Sequence, residues 1–124
     1  MTTASTLAFQ DDYLATWTEP DPEARRRRIE KVWAPEGRLV VSSLGVTVEG
    51  VAAIAAHIAH VHDDLIAGKG LVFRYDQQVE APGSVLLRWS MLAPTGAVVG
   101  RGVDVVFRDD AGRAQTVLMF MGVD

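Results

Sequence analysis

The fold is decided by residues 71–122, which have the sequence LVFRYDQQVE-APG-SVLLRWSMLA-PTG-AVVGRGVDVVFR-DDAG-RAQTVLMFMG. Runs rich in β-branched and aromatic residues alternate here with short segments that contain Gly, Pro or Asp. Such runs predict strands, and connections this short predict antiparallel hairpins. We therefore expect strands over residues 71–80, 84–92, 97–108 and 114–122.

The preceding part of the chain predicts three helices and one short strand. The helices are expected over residues 7–19, 23–33 and 51–66, with the strand over 38–43. Asp21 followed by Pro22 is typical of a helix start, because the Asp side chain caps the helix and Pro suits its first position. Helices followed by a meander of long strands predict an α+β fold, with three N-terminal helices packed on a curved, mostly antiparallel sheet.

Composition and charge exclude several classes of protein. The chain has 124 residues, 48% of them hydrophobic and 23% charged, which predicts one globular domain over residues 1–124 with residues 1–6 flexible. The net charge of −4 argues against nucleic acid or an anionic membrane as a partner. There is no cysteine, so disulfides and cysteine-based sites are excluded. Without a basic leader or an apolar run of about 20 residues, we expect a cytoplasmic protein.

Asp104 is the residue that most clearly suggests a site, because it is a lone carboxylate in the apolar run GRGVDVVF at 100–107. Burying an unpaired charge costs several kcal/mol or more, so a cavity or a partner must make this position tolerable. Gly100, Gly102 and Val106 fall on the same strand face, and the two glycines leave space for a ligand or for close packing. The alternative is a structural aspartate paired with a neighbouring arginine or tyrosine.

Four stretches of the chain occur in an order that is similar to a known superfamily. They are YLATW at 13–17, VWAPEG at 32–37, GVAAI at 50–54 and GVDVVFRDDAGR at 102–113. Together they resemble the nuclear transport factor 2-like superfamily, to which the SnoaL-like proteins belong. The resemblance covers nearly the whole chain and implies a single SnoaL-like domain, a cone-shaped cavity and a homodimer formed through the sheet. The superfamily contains isomerases, cyclases, epoxide hydrolases, dehydratases and non-catalytic binding proteins, so the fold alone does not assign a function.

The ketosteroid isomerase-like branch of this superfamily implies roles for two residues. In that branch a tyrosine of the first helix and a protonated aspartate on a late strand form an oxyanion hole, and Tyr13 and Asp104 fall on these positions. The general base of the branch, an aspartate on the first strand, has no counterpart here. Its position falls near Val41 or Ser42.

Two other enzymatic branches imply acids that this chain lacks. Limonene epoxide hydrolase-like proteins use an arginine and two aspartates. Arg88 corresponds to the arginine, whereas Ser90 and Met119 stand at the positions of the two aspartates. SnoaL-like polyketide cyclases use an acidic residue on the last strand, where Met119 again stands. The resemblance also implies the side chains that line the cavity. These are Trp17, Val41, Ser90, Val117 and Met119.

Arg88 is a candidate partner of Asp104. It shares a strand face with Leu86 and Ser90, and counting through the turn at 94–96 places it within one cross-strand step of Asp104. If the two side chains pair, the guanidinium lowers the pKa of the carboxyl, and Asp104 acts as an ionised base or an anchor. If Arg88 points into solvent, Asp104 can be protonated beside Tyr13.

His57 is the candidate proton carrier on the third predicted helix. It follows Ile54 by three residues and leans towards the apolar row of that helix, where a neutral imidazole could act as a general base. The alternative is a histidine at the edge of the core, bonded to a backbone carbonyl. His60 and His62 are expected at the surface, and no third ligand converges with them, so we expect no metal site.

Two functions remain open from the sequence. The first is an enzyme that performs cofactor-independent acid–base chemistry on a small apolar carbonyl or polyketide-like molecule, with Tyr13, Asp104, His57 and Arg88 as catalytic residues. The second is a non-catalytic ligand-binding or scaffold homodimer of the same fold. An open cavity that contains Tyr13, His57 and Asp104 favours the enzyme, and a plugged cone favours the second function.

Overall fold

A computed structural model describes residues 2–122, including the side chains of residues 9–122. Within these residues there are three α-helices, one π-helical segment and six strands. The helices are α1 (Thr2–Thr18), α2 (Pro22–Val32) and α3 (Val51–Val61), and the π-helix (His62–Ala67) continues α3. The strands are β1 (Trp33–Val41), β2 (Val46–Glu49), β3 (Val72–Ala81), β4 (Ser84–Leu92), β5 (Val98–Arg108) and β6 (Ala114–Met121).

All six strands belong to one sheet with the order β2-β1-β6-β5-β4-β3. The pairs β1–β2, β3–β4, β4–β5 and β5–β6 are antiparallel, and β1 lies parallel to β6. The parallel pair is possible because the first two strands and the last four are separated in sequence by α3, which allows the chain to cross over. The predicted α+β class and mostly antiparallel sheet are confirmed.

The start of α2 forms as its sequence predicts. The Asp21 side chain accepts a hydrogen bond from the backbone N–H of Ala24 at 2.8 Å, and Pro22 occupies the first turn. The helix ends where Trp33 adopts an extended backbone. The strand predicted over residues 38–43 begins earlier, at Trp33, ends at Val41 and contains an irregularity before Arg38. Pairing with β6 and complete burial of Trp33 outweigh the turn preference of Pro and Gly.

Two other boundaries differ from the predictions. The third helix is α-helical only to Val61 and continues as a π-helix to Ala67, so its length was predicted and its wider last turn was not. The first helix begins at Thr2, before the expected start. The expected flexibility of residues 1–6 includes Met1, which lies outside the described residues.

None of the described helices is long and apolar enough to span a membrane.

The helices cover one face of the sheet, which we call the inner face. Its core side chains include Leu39, Val85, Leu87, Val106 and Val117, which belong to one buried cluster with Ile54 and Ile58 of α3. The opposite side, which we call the outer face, carries no helix among the described elements. Position in a strand therefore decides whether a side chain meets the core or the outer face.

Candidate active site: a cavity around Asp104

A cavity of about 350 Å³ opens between the helices and the inner face of the sheet. This volume is near the lower end of the range for small-molecule pockets. Most of its wall is apolar, and the titratable side chains that line it are His57, His60, Asp64, Tyr75 and Asp104. Leu44 and Met121, which are 64% and 42% exposed, mark the mouth of the cavity, and Asp104, which is 3% exposed, lies at its floor.

The Asp104 carboxyl is buried on the inner face between Leu87 of β4 and Met119 of β6, its neighbours in register. Its Oδ1 atom accepts a hydrogen bond of 3.0 Å from the Nε1–H of Trp89. Burial raises the pKa of Asp104 to about 7, and the Trp89 hydrogen bond opposes this rise. Near neutral pH the group therefore exists as both acid and carboxylate, which suits a proton donor.

The glycines beside Asp104 serve close packing of aromatic and thioether side chains. A Cβ atom on Gly102 would lie 2.3 Å from Cζ2 of Trp89 and 2.5 Å from the backbone oxygen of Phe120. A Cβ atom on Gly100 would lie 2.9 Å from Cε of Met91. The bare backbone of β5 thus lets the Trp89 indole lie against it and reach Asp104.

Two tyrosines interact with Asp104 from different elements. Tyr13 of α1 is completely buried and packs against Phe9 and Trp33, with ring centroids 5.8 and 5.9 Å away. Its hydroxyl lacks a partner with hydrogen-bond geometry. Burial, and next the charge of Asp104, raise the pKa of Tyr13, while Trp17 opposes the rise. Burial and Asp104 likewise raise the pKa of Tyr75, so both phenols stay protonated and can donate.

His57 lies on the helical wall of the cavity and is partly buried. Its ring meets the Trp17 ring edge-on with centroids 6.3 Å apart. Burial, and to a lesser degree His60, lower the pKa of His57, so its imidazole is neutral at pH 7 and can accept a proton. His60 and Asp64 are exposed and stand at the mouth. His62, expected at the surface, is buried, and its Nδ1 lies 2.8 Å from the backbone oxygen of Trp17.

Several solved structures share this architecture. A protein from Agrobacterium tumefaciens, assigned to the SnoaL-like family as an isomerase, is 29% identical with a TM-score of 0.85 over 99% of this chain and 100% of that one. A protein from Jannaschia, assigned as a SnoaL-like polyketide cyclase, is 17% identical with a TM-score of 0.68 over 92% and 85% of the two chains. A protein from Catenulispora acidiphila with a ketosteroid isomerase-like fold, solved in complex with trimethylamine, is 16% identical with a TM-score of 0.71 over 90% and 83%.

The chain has the SnoaL-like fold. This is the cone fold of the nuclear transport factor 2-like superfamily, so the resemblance inferred from the four sequence stretches is confirmed. No protein-family model and no curated protein sequence matches the chain. Because the SnoaL-like fold supports many activities, the function must be argued from the site itself.

The SnoaL-like cavity contains three of the five side chains expected to line it, namely Trp17, Val41 and Met119. Val117 faces the same side of the sheet but is fully buried in the core. It lies two residues from Met119 on β6 and pairs with Val106. Tyr13 is also packed in the core and lies outside the lining, although it interacts with Asp104. The cavity is thus open and contains His57 and Asp104, with Tyr13 behind its wall.

Of the two alternatives for Arg88, the structure supports the one in which it does not pair with Asp104. Leu87 is the residue opposite Asp104, and Arg88 is opposite Val103, so Arg88 points to the outer face. There its Nε donates to Oε1 of Gln77 at 3.3 Å. Since alternate residues on a strand face opposite sides, a register error of one residue removes Arg88 from the cavity.

Ser90 also lies on the outer face and does not line the cavity, contrary to expectation. Its hydroxyl donates a short hydrogen bond to Oδ2 of Asp76, whose other carboxylate oxygen binds Nε of Arg74 at 2.8 Å. Ser90 is fully buried by this arrangement although no helix covers it. Its alternation with Arg88 places both on the same side, away from Asp104.

Most residues of the lining were not predicted, among them four on strands β3 and β4. Phe73 and Tyr75 alternate on β3, and Trp89 and Met91 alternate on β4, so each pair points into the cavity. Trp89 supplies the hydrogen bond to Asp104. The parity of β4 relative to Asp104 was the signal that could have found it.

The described residues contain no group of three or more His, Asp or Glu side chains placed to hold a metal ion. Within the cavity the acidic groups are separated between the floor, at Asp104, and the mouth, at Asp64. The Asp104, His57 and Tyr75 side chains of the cavity can donate hydrogen bonds or transfer protons.

Proposed function

We propose that this SnoaL-like protein is an enzyme that performs cofactor-independent acid–base chemistry on a small apolar carbonyl compound, as an isomerase, cyclase or dehydratase does. The single observation that carries the proposal is the position of Asp104. Its buried carboxyl, with a pKa of about 7, stands at the floor of an apolar cavity that has a neutral histidine on its other wall. An acid and a base whose pKa values are both shifted by burial within one cavity are typical of acid–base catalysis.

In this proposal Asp104 acts as the hydrogen-bond donor to the carbonyl oxygen. Trp89 donates to Oδ1, which makes Oδ1 the acceptor atom of the neutral acid and leaves Oδ2 to carry the proton. A donor held in place before the reaction, in a site with little water, stabilises negative charge that develops on the oxygen. The hydroxyl of Tyr75 on the cavity wall is the second donor.

His57 moves the proton between carbon atoms. The neutral imidazole removes a proton from the carbon next to the carbonyl, and the electron pair of that C–H bond forms the double bond of an enol or enolate. The imidazolium then returns the proton to a different carbon atom or to a leaving hydroxyl group. This role replaces the missing carboxylate base, whose position falls near Val41 or Ser42. Proton transfers of this kind contribute about 10²–10⁴ in rate.

The proton-removal step can be tested without the natural substrate. Cyclohexanone and 2-decalone in D₂O exchange the hydrogens next to the carbonyl, and proton NMR measures the rate. We expect the protein to accelerate this exchange, and expect Asp104→Asn and His57→Ala each to lower the acceleration about 100-fold or more. Asp63→Asn, an exposed aspartate outside the cavity, is the matched control and should leave the rate unchanged.

The result that would contradict the proposal is equally direct. If the protein does not accelerate exchange in either ketone, or if both variants exchange as fast as the unaltered protein, Asp104 and His57 do not perform this chemistry. Thermal unfolding of each variant shows whether a lost rate reflects lost folding.

A second candidate function is ligand binding without turnover. It is favoured by the identities of Val41 and Met119, which stand in the cavity where related enzymes have acids. The related protein solved with trimethylamine supports a binding role for this kind of cone. Tight binding of a cavity ligand without hydrogen exchange in any bound ketone would favour this function.

The proposed partner of the chain is a second copy that packs through the outer face. Support comes from Val79, Phe107 and Phe120, large apolar side chains that are 50%, 43% and 40% exposed on that face. Sedimentation velocity should show a dimer, and Phe107→Asp with Phe120→Asp should yield a monomer. Val46→Asp is the control, because Val46 is about as exposed as Phe107 and Phe120 but lies on the inner side of edge strand β2. A cytoplasmic location, without nucleic acid or membrane partners, remains a prediction.

A further inference from the structure

The charge inside the cavity has one sign. Among the described residues that line it, the acidic side chains are Asp104 and Asp64, and none is lysine or arginine. The two histidines on the wall are His57, whose pKa is lowered by burial, and His60 at the mouth. A ligand that carries a carboxylate or phosphate would therefore meet no permanent positive charge there.

Aromatic rings surround the Asp104 end of this cavity. Trp89 is hydrogen-bonded to the carboxyl, Phe73 lies edge-on to Trp89 with centroids 5.8 Å apart, and Tyr75 pairs with Trp89 across the strands. Aromatic faces next to a carboxylate attract cations, because the ring quadrupole and the negative charge act in the same direction. The attraction strengthens where water is excluded, as it is around a side chain that is 3% exposed.

We propose that this cavity binds hydrophobic amines as ammonium ions, with the Asp104 carboxylate as counter-ion and the rings of Phe73, Tyr75 and Trp89 around the cation. This goes beyond the proposed reaction, since a saturated amine has no carbonyl to react and occupies the cavity as a ligand. The ammonium replaces the Asp104 proton, so the buried site stays electrically neutral in both states. That neutrality avoids the cost of leaving a charge unpaired in the interior.

The exchange of a proton for an ammonium gives a distinct pH dependence. Amines of this type are protonated below about pH 10, as the lysine side chain is, so only Asp104 must change its state. With a pKa of about 7, Asp104 is ionised in about a tenth of the molecules at pH 6 and about nine tenths at pH 8. Amine affinity should therefore rise about tenfold between these values. A neutral ligand that accepts a hydrogen bond from Asp104 shows the opposite trend.

Other titratable groups face Asp104 and must be separated from it. Tyr13 and Tyr75 have raised pKa values and stay neutral across this range. His57 on α3 gains positive charge as the pH falls, which also weakens amine binding, and His60 stands at the mouth of the cavity. Asp64 on the π-helix also lies at the mouth. Repeating the pH series with Asp104→Asn isolates the part due to Asp104.

Three probes with one apolar body test the proposal. Cyclohexylmethylamine, cyclohexylmethanol and cyclohexanecarboxylate place an ammonium, a hydroxyl and a carboxylate on the same ring, and calorimetry with Trp fluorescence gives each dissociation constant. At pH 8 we expect the amine to bind at least about tenfold more tightly than the carboxylate. Titration in two buffers of different ionisation heat should show release of nearly one proton per amine at pH 6.

Variants locate the cation within the cavity. Asp104→Asn should weaken amine binding about tenfold or more and leave the alcohol within about threefold. Asp64→Asn should change amine binding less than about threefold, and Asp63→Asn, outside the cavity, should change nothing. If Asp104→Asn fails to fold, the pH series and the proton release on the unaltered protein still decide.

The proposal is overturned if the amine and carboxylate bind equally, if amine affinity does not rise between pH 6 and pH 8, or if Asp64→Asn causes the main loss, which would place the cation at the mouth. These outcomes do not involve hydrogen exchange in ketones. The amine proposal and the proposed reaction can thus fail separately.

Discussion

The two faces of the sheet hold two aspartates with opposite properties, Asp104 on β5 and Asp76 on β3. On the inner face, Asp104 is buried with one indole donor, and burial raises its pKa to about 7. On the outer face, the hydrogen bond from Ser90, followed by the one from Arg74, lowers the pKa of Asp76. One sheet thus carries an acid that can be neutral and another that stays ionised. The comparison teaches that the environment of a carboxyl, more than its residue type, sets its chemistry.

The largest effect should come from the pH dependence of stability at Asp104. Its folded pKa, about 7, is above the value of 3.8 for an unperturbed group, so its stabilising contribution is present below pH 4 and is lost as the pH rises through 7. Three pKa units correspond to up to about 4 kcal/mol. Urea unfolding at pH 4 to 8 should show a decline that is absent in Asp104→Asn. Equal pH profiles for the two proteins would place the pKa of Asp104 near 3.8.

Gly102→Ala should disturb the inner face without adding a polar group. The new Cβ would overlap the Trp89 ring and the Phe120 carbonyl, and backbone atoms cannot move away cheaply. We expect a loss of about 1–3 kcal/mol in the free energy of unfolding, measured in urea. Gly83→Ala, where a Cβ meets nothing within 4 Å, controls for backbone freedom, although its φ of 74° adds its own strain. A loss no larger than that of Gly83→Ala would mean that the packing at Gly102 is not tight.

Trp89→Phe keeps an aromatic ring in the cavity and removes the donor to Asp104. Because that hydrogen bond lowers the pKa of the carboxyl, its loss should move the pKa above 7. Carbon-13 NMR of labelled aspartate carboxyls measures this directly. The expected stability cost is about 1 kcal/mol, that of one hydrogen bond. Trp17→Phe changes a cavity tryptophan that does not bond Asp104 and is the matched control. An unchanged pKa of Asp104 in Trp89→Phe would show that the Trp89 hydrogen bond does not lower this pKa.

The smallest effect should come from the outer face. Ser90→Ala removes the hydroxyl that bonds Asp76 and should cost about 1 kcal/mol or less, while raising the pKa of Asp76 towards its usual value. Binding of cavity probes should be unaffected, since Ser90 points away from them. A change in probe affinity comparable to that of Trp89→Phe would show that the two faces are coupled through the sheet.

The elements of this fold follow from local sequence wherever one pattern dominates. The strands after residue 71 alternate with short turns, and Asp21 with Pro22 starts α2 as its chemistry requires. The segment at 34–37 differs, because Pro and Gly suggest a turn while long-range pairing with β6 makes a strand. The π-helical turn after Val61 and the short strand β2 have no strong local signal. The local turn preference of Pro and Gly is outweighed by strand pairing between residues that are distant in sequence and come together only on folding.

Asp104 itself was identified from sequence, because a carboxylate within an apolar strand needs an explanation wherever the strand lies. His57 could likewise be placed on the cavity side from the apolar row of its helix. The partner of Asp104 could not be found in this way. Counting through the turn at 94–96 gave Arg88, whereas the actual register, with an irregularity between Met91 and Leu92, aligns Leu87 with Asp104.

The sequence by itself determined the α+β class, the likeness to the cone fold and the presence of one costly carboxylate. Only the tertiary structure decided which side chains meet that carboxylate, because the faces of a strand alternate with every residue and a shift of one residue exchanges them. In the observed register Trp89 shares the face of Asp104 and donates a hydrogen bond to it, whereas Arg88 and Ser90 lie on the opposite face. The protonation of Asp104 is thus a property of the folded sheet, set by burial that no single stretch of sequence contains.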